Sequence, residues 1–481
     1  MTQWVEPSQL KAWLHDGQEI ALFDVRESGQ FGESHLFYGV PLPYSRLEID
    51  VCRLAPRNTV RLVVYDGDGN GVAVSAADRL VAMGYTQVHV LRGGTAAWQA
   101  AGYVLFAGVN LPSKTFGELA EHAYGTPRVR ADELAAWLKA KEDVVVLDGR
   151  PLAEFHKMSI PTATCCPNGE LALRVRHLVP SEKTRIVINC AGRTRSIIGA
   201  QTLINLGIAN PVYALENGTQ GWYLQDHRLE HGKTQAYGPP ADQDRMRAAA
   251  QKLAERFHVK TVSDNTVKGW AADETRSLFL CDVRTPEEFC QASLPGAQST
   301  PGGQLLQALD QYVGVRNARI VLFDSDGIRA LTVASWLVQM GHDVYVLESG
   351  RQSSVALAPG GMPVLPTLSR VSATQLQDKL AAGLVRVVDL RASMQFRKAH
   401  LPGALWSIRP VLASALGSET RQVVMVADDP LIAACAATEL SHLPMPPQIL
   451  DGGLPAWTAA GYPVTATPNS PPDEACIDYL F

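Results

Sequence analysis

The sequence has little of what would place the chain in a membrane, outside the cell or on nucleic acid. Its 481 residues carry 43 Lys and Arg against 48 Asp and Glu, a formal net charge of -5, so no positive excess favours nucleic acid. No apolar run approaches the roughly 20 residues that cross a bilayer, and the N-terminus lacks the basic and apolar segments of a signal peptide. The eight cysteines form no Cys-x-x-Cys pair. We therefore expect a cytoplasmic protein with reduced thiols, no metal, no other cofactor, and neither nucleic acid nor membrane as a partner.

What the sequence does contain is one unit repeated four times. A short apolar strand ends in Asp-x-Arg at Asp24, Asp148, Asp282 and Asp389. Each copy continues with a turn, a second apolar strand, a stretch of helical pattern and a short strand that runs into a glycine turn. Short apolar strands that alternate with helices predict an α/β fold with a parallel sheet covered on both faces.

The repeats divide the chain into four predicted domains, over residues 1–107, 127–232, 259–365 and 366–466. The linker 108–126 contains a short helical piece. In the linker 233–258, apolar residues recur at helical spacing and predict an amphipathic helix docked on a neighbouring domain; they are Met246, Ala250, Leu253 and Phe257. For the tail after residue 466, docking in a groove and a loosely ordered terminus both stay open.

The stretch "IVINCAGRTRSIIG", residues 186–199, places a lone thiol where the second apolar strand of the second repeat ends. Ligands of parallel sheets bind at this edge, where helices begin. The loop amides, the N-terminus of the following helix, Arg193 and Arg195 would all favour the thiolate form of Cys190. Gly192 is expected to provide an unusual backbone angle. The sequence therefore predicts a nucleophilic cysteine in an anion-binding loop rather than a buried structural cysteine.

These motifs resemble those of the rhodanese family. The resemblance rests on the Asp-x-Arg strand, the "HLPGA" turn at 400–404, the strand–Cys–loop–helix and the "GGLPAW" turn at 452–457, and it covers nearly the whole chain. It implies four tandem rhodanese-like domains, each a small parallel sheet flanked by helices. It also implies a catalytic Cys190 and a substrate-binding loop made of Ala191, Gly192, Arg193, Thr194 and Arg195.

The activity implied by the resemblance is that of a thiosulfate sulfurtransferase. Such an enzyme takes a sulfane sulfur from a small anionic donor, holds it as a cysteine persulfide and passes it to cyanide or a thiol. Three alternatives stay open: a persulfide carrier that delivers sulfur to a protein acceptor, a cysteine-dependent phosphatase or arsenate reductase, and a non-catalytic scaffold. The loop is Cys-x4-Arg, one residue shorter than the Cys-x5-Arg of the related phosphatases, and this favours sulfur transfer over phosphate ester hydrolysis.

The other three copies lack the thiol. Asp66, Asp324 and Ala427 fall at its position, and neither an aspartate nor an alanine side chain can carry a transferable sulfur. The loops "DGDGNG" and "DSDGIR" place acidic residues where the second copy has cations, and the proline of "ADDPL" removes an N–H donor. We expect these three domains to be catalytically inactive.

Further residues could support the predicted site. Asp148 and Arg150 should lie near the loop, although the presence of Asp-x-Arg in all four copies favours a structural pair. Trp222 could form a pocket wall, although Trp98 and Trp457 at related positions favour packing in the core.

The remaining cysteines are weaker candidates. Cys165 and Cys166 are adjacent and could relay sulfur, since they lie in the turn after the first inner strand of the second repeat. The others have no cationic surroundings and are expected to be packing residues: Cys52, Cys281, Cys290, Cys435 and Cys476.

Overall fold

The computed structural model describes residues 3–358, 360–361 and 364–480, and within them the four repeats share one architecture. Each repeat has a five-stranded parallel sheet in which the first strand pairs with the fifth, the fifth with the fourth, the fourth with the second, and the second with the third. Helices flank each sheet. The predicted fold class of four tandem α/β domains is confirmed.

The strands are short. The first repeat has β1 (Gln3–Val5), β2 (Ile20–Asp24), β3 (Val40–Pro41), β4 (Leu62–Tyr65) and β5 (Val88–Leu91). The second has β6 (Arg128–Val129), β7 (Val144–Asp148), β8 (Thr164–Cys165), β9 (Arg185–Asn189) and β10 (Val212–Leu215). The third has β11 (Lys260–Val262), β12 (Leu278–Asp282), β13 (Gln298–Ser299), the short β14 (Val315–Arg316), β15 (Arg319–Phe323) and β16 (Asp343–Leu347). The fourth has β17 (Ser369–Val371), β18 (Val385–Asp389), β19 (Leu405–Trp406), β20 (Gln422–Val426) and β21 (Gln448–Leu450).

The helices follow the same repeat. The first has α1 (Pro7–Trp13), α2 (Ser28–Glu33), α3 (Leu47–Leu54), α4 (Val72–Ala82) and α5 (Gly94–Ala100), followed by the linker helix α6 (Leu111–Tyr124). The second has α7 (Ala131–Lys139), α8 (Leu152–Lys157), α9 (Leu171–Leu178), α10 (Thr194–Asn205) and α11 (Gly218–Leu224), followed by the linker helix α12 (Gln243–Arg256). The third has α13 (Asp264–Ala271), α14 (Pro286–Gln291), α15 (Gly302–Gln307) and α16 (Arg329–Gln339). The fourth has α17 (Ala373–Ala381), α18 (Ser393–Lys398), α19 (Arg409–Leu416), α20 (Pro430–Ala437) and α21 (Gly453–Ala459).

The core of the second repeat shows why the inner strands are almost wholly apolar. Along each strand, successive side chains point to opposite faces of the sheet. Ile186 and Ile188 accordingly pack with the α9 and α10 side of the core, whereas Val146 and Val187 pack on the other face with Trp222. Because both faces are covered, both sets of positions must be apolar.

The chain forms two compact units. One contains the first and fourth repeats, with residues up to Val109 and from Gly361 on, and the other contains the second and third repeats, over Asn110–Gly360. A buried arginine joins the repeats within each unit. Arg409 of the fourth repeat donates to Glu48 of the first at 2.8 Å, and Arg329 of the third donates to Glu170 of the second at 2.8 Å.

Two segments outside the repeats are anchored by packing. In α12, Met246, Ala250 and Leu253 are buried in the core of the second repeat, which confirms the predicted docked helix. The C-terminal tail also docks within its own unit, because the Ile477 carbonyl accepts hydrogen bonds from the N–H groups of Gly29 at 2.9 Å and Gln30 at 3.3 Å. Docking was therefore the correct alternative for the tail.

Candidate active site

The thiol of Cys190 lies where the sequence places it, directly after β9 and four residues before the start of α10 at Thr194. β9 lies between β7 and β10, so the thiol is at the carboxyl edge of the sheet centre. Cys190 is only 2% exposed. The equivalent positions in the other repeats, Asp66, Asp324 and Ala427, directly follow β4, β15 and β20.

The N-terminus of α11 closes the loop from one side. The Thr219 N–H donates to the Cys190 carbonyl at 2.8 Å, and the Gln220 N–H donates to the Ala191 carbonyl at 3.1 Å. Gly218 makes this approach possible, since a Cβ there would lie 2.2 Å from the Cys190 carbonyl oxygen. The carbonyls of Cys190 and Ala191 are therefore both paired with N–H groups of α11.

The loop amides, unlike the loop carbonyls, are not hydrogen-bonded to any of the described residues. In the described part of the chain, the N–H groups of Ala191 through Arg195 donate to no protein acceptor. Unpaired N–H groups at a helix N-terminus carry partial positive charge and bind anions. Gly192 does not have the left-handed φ that the sequence led us to expect, so that expectation was wrong. A Cβ at this position would have only an ordinary contact, 3.5 Å from Gln220 Oε1.

Arg195 is held beside the thiol by a carboxylate. Its Nη1 and Nη2 donate to the two oxygens of Glu154 at 2.8 and 2.9 Å, and its side chain is only 12% exposed. Burial acts to lower the pKa of Arg195, but the hydrogen bond to Glu154 and the proximity of Cys190 outweigh burial and raise it. The guanidinium therefore stays charged next to Cys190.

Arg193 is bound by acidic residues that the sequence did not indicate. Its Nε and Nη2 donate to the carboxylate of Glu118, both at 2.8 Å, and its Nη2 also donates to Glu121. The hydrogen bond to Glu118 raises the pKa of Arg193. Both glutamates lie on α6, in the segment read from the sequence only as a linker with a short helical piece. Both loop cations are thus already ion-paired, so any anion that binds Arg193 would have to compete with these glutamates.

Asp148 and Arg150 form a buried pair. Arg150 donates to Asp148 at 2.9 and 2.7 Å and to the Met158 carbonyl at 2.7 Å. The same bonds, including one to the carbonyl eight residues later, occur at Arg26, Arg284 and Arg391 in the other repeats. In the second repeat Asn189, directly before Cys190, adds a hydrogen bond from its Nδ2 to Asp148 at 2.8 Å.

Trp222 lies in the core and not at the loop. It is 4% exposed, and its Nε1 donates to the Arg228 carbonyl at 3.0 Å. Trp98 and Trp457 make the corresponding bond to the carbonyl six residues later. The three tryptophans therefore have the same packing environment whether or not their repeat contains the thiol.

The adjacent cysteines are poorly suited to sulfur relay. Cys165 and Cys166 are fully buried. Burial raises the pKa of Cys165 to about 12 and that of Cys166 well above its usual value, which disfavours the nucleophilic thiolate. Cys290 was expected to be a packing residue, and this was wrong, because its side chain on α14 is exposed. α14 is a single short helix with no buried residue, so it has no apolar face to place there.

The loops of the first and third repeats contain their own anion. The Asp66 carboxylate accepts from the N–H groups of Gly69 and Ala73, at 2.5 and 2.9 Å. The Asp324 carboxylate accepts from Gly327 at 2.9 Å and from Ala330 at 2.8 Å. A side-chain carboxylate thus binds loop amides of the kind that, among the described residues, have no protein acceptor in the second repeat.

The third repeat keeps one cation of this loop beside the acidic residues that the sequence indicated. Arg329 follows Asp324 by five residues, as Arg195 follows Cys190, and it donates to Glu288 at 2.6 and 2.9 Å just as Arg195 does to Glu154. An Arg–Glu pair therefore belongs to both repeats, whereas the residue at the strand end is Cys190 in one and Asp324 in the other.

No helix in the described ranges has the length and hydropathy that a bilayer crossing requires. Within the same ranges, no group of three or more His, Cys, Asp or Glu is placed to hold a metal ion.

Comparisons with known proteins agree with this geometry. The rhodanese-like domain model matches residues 6–101, 130–225, 265–355 and 372–460. Among solved structures, a thiosulfate sulfurtransferase from Pseudomonas aeruginosa is 41% identical over 99% of this chain and 92% of that chain, with a TM-score of 0.91. A rhodanese-like domain from Anabaena sp. is 24% identical over 22% of this chain and 80% of that chain, with a TM-score of 0.20. A protein from Bacillus halodurans is 19% identical over 25% of this chain and 87% of that chain, also with a TM-score of 0.20. A comparison with curated proteins finds no match.

Proposed function

The chain belongs to the rhodanese-like family and is a rhodanese-type transferase, and from that premise we propose that it transfers a sulfane sulfur through Cys190. The donor is thiosulfate or a similar small anion, and the acceptor is cyanide or a thiol. The observation that carries the proposal is the Cys190 thiol at the end of the central strand β9, followed by a loop whose amides have no protein acceptor among the described residues.

In the first step the Cys190 thiolate attacks the outer sulfur of thiosulfate. A bond forms between Sγ and that sulfur, the S–S bond of thiosulfate breaks, and sulfite leaves with the electron pair. The loop amides and the N-terminus of α10 stabilise the negative charge on the donor and then on the persulfide. Arg195, fixed by Glu154, adds a positive charge close to Cys190.

In the second step the acceptor attacks the outer sulfur of the persulfide. With cyanide, a carbon–sulfur bond forms, the S–S bond of the persulfide breaks, and thiocyanate leaves while the Cys190 thiolate is regenerated. No electron donor or metal enters this balance. The first and third repeats would not take part, because the carboxylates of Asp66 and Asp324 already occupy their loop amides.

The test is the rate of thiocyanate formation from thiosulfate and cyanide. Cys190→Ser should abolish it, whereas Cys290→Ser, which removes the exposed thiol, should leave it unchanged. Sulfur transfer that survives in Cys190→Ser would refute the proposal. Transfer that needs a protein acceptor would favour the persulfide carrier, and aryl phosphate hydrolysis that is lost in Cys190→Ser would move the assignment to the phosphatases.

A further inference from the structure

Asn168 contacts the loop of residues 191–195 that follows Cys190, which we call the active loop. It opens the 3₁₀ turn Asn168–Glu170 and is 8% exposed. Its Nδ2 donates to the backbone carbonyl of Arg195 at 2.8 Å. Arg195 is thereby held at both ends, by Asn168 at its carbonyl and by Glu154 at its guanidinium.

Two glycines make room for this side chain. A Cβ on Gly149 would lie 2.0 Å from Asn168 Oδ1, and a Cβ on Gly199 would lie 2.6 Å from the same atom. Gly149 is the middle residue of Asp-x-Arg, and Gly199 lies on α10. No larger residue fits either position while Asn168 keeps its conformation.

The other repeats fill this space differently. Where the second repeat has Gly149, they have Val25, Val283 and Leu390. The third repeat has Gly302 at the position that corresponds to Asn168. The Asn168 N–H donates to the Gly149 carbonyl and the Gly302 N–H donates to the Val283 carbonyl, both at 3.1 Å. A Cβ on Gly302 would lie 2.5 Å from Val333 Cγ2. In the third repeat the space is therefore filled by Val333 of the helix α16, and in the second repeat it is filled by Asn168 of the turn.

The third repeat also supports the turn that carries Asn168. A Cβ on Gly303 would lie 2.9 Å from the backbone nitrogen of Gly169 and 3.1 Å from that of Asn168. Gln304 of the same helix approaches Arg195 Nη1 at 3.5 Å. Backbone-to-backbone packing of this kind leaves the turn little freedom to move.

From this arrangement we infer that Asn168 is a positioning residue that fixes the active loop through the carbonyl of Arg195. Gly149 is required because Asn168 is present, whereas Gly199 is required by both Asn168 and Ile188, and the backbone of the third repeat packs against the turn that carries Asn168. The inference rests on the proposed function of Cys190. Asn168 acts through the Arg195 carbonyl, so its loss should lower kcat more than it raises KM.

The test is a pair of substitutions and their combination. Asn168→Ala removes the hydrogen bond and should lower kcat about tenfold, through loop displacement. Gly149→Ala should lower kcat at least as much, because its Cβ displaces the Asn168 amide. The double variant should be no worse than Asn168→Ala, because the next neighbour of the added Cβ, the Asn189 carbonyl oxygen, is 3.6 Å away.

A second readout separates positioning from folding. The rate at which iodoacetamide alkylates Cys190, followed against pH, should change in Asn168→Ala. In the double variant this rate should equal that of Asn168→Ala and fall no further. A purely structural role would lower the melting temperature and leave both kcat and the alkylation profile unchanged. Either that result or additive losses in the double variant would overturn the inference. Sulfur transfer in Cys190→Ser would instead refute the proposed function, while the Gly149–Asn168 coupling would still appear in the melting temperatures.

Discussion

Replacing Gly218 by alanine should disable the active loop while leaving the fold in place. Gly218 has a φ of +54°, and an added Cβ would lie 2.2 Å from the Cys190 carbonyl oxygen. Ordinary contact begins at 3.4 Å, so the two backbones must separate by roughly 1.2 Å. Because a misplacement of about 1 Å can cost on the order of 10²-fold in rate, we expect a loss of that size in kcat/KM. The left-handed backbone adds a stability cost of about 1–2 kcal/mol.

The matched control is Gly94→Ala in the first repeat. Gly94 has a φ of +53°, and its Cβ would lie 2.4 Å from the Asp66 carbonyl oxygen, so the local clash is nearly the same but no thiol is beside it. Both variants should lose similar stability in thermal unfolding, and only Gly218→Ala should lose thiocyanate formation. Equal activity losses in the two variants, or full activity in Gly218→Ala, would refute this reasoning.

Three further predictions follow from the charges. Converting Glu118 and Glu121 together to Gln should release Arg193 and lower the KM for thiosulfate severalfold in initial-rate assays; an unchanged KM would show that Arg193 does not meet the donor. Arg329→Met leaves buried carboxylates without a counter-charge and should cost about 3–5 kcal/mol in denaturant unfolding, whereas a loss below about 1 kcal/mol would contradict the buried network. Burial raises the pKa of Glu27 to about 7, so the unfolded chain binds fewer protons than the folded chain above about pH 4.5, and the free energy of unfolding falls as the pH rises through 7. Relative to Glu27→Gln, this fall should total about 3 kcal/mol. Parallel pH profiles of the two proteins would refute the prediction.

The four α/β repeats could be predicted from the sequence because they depend on local patterns. Apolar strands that end in Asp-x-Arg and glycine turns after the last strand of each repeat are determined by neighbouring residues. The alignment of Asp66, Asp324 and Ala427 with Cys190 followed from counting along these strands, and the structure places all four at the same strand end. The domain boundaries and the catalytic role of the loop stay predictions.

The residues that surround the loop were not accessible in this way, because they are brought together by packing. Glu118 and Glu121 are more than 70 residues from Arg193, on a helix that the pattern marked only as a linker. Asn168 reaches Arg195 across 27 residues. One signal was present: the second repeat is the only copy with glycine inside Asp-x-Arg, which indicates a close neighbour at that point.

The expectation about Gly192 failed for a related reason. A glycine in a loop is compatible with both signs of φ, so its presence alone does not determine the backbone angle. The glycines that the site requires are Gly149, Gly199 and Gly218, and each is required by a close approach from another segment.

The central claim is that Cys190 carries the transferred sulfur, and mass spectrometry of the intact protein after thiosulfate treatment tests it most directly. The account predicts a gain of the mass of one sulfur atom, located on the peptide that contains Cys190, absent in Cys190→Ser and removed by cyanide. The same gain on a peptide that contains Cys165, Cys166 or Cys290, or no gain at all, would contradict it.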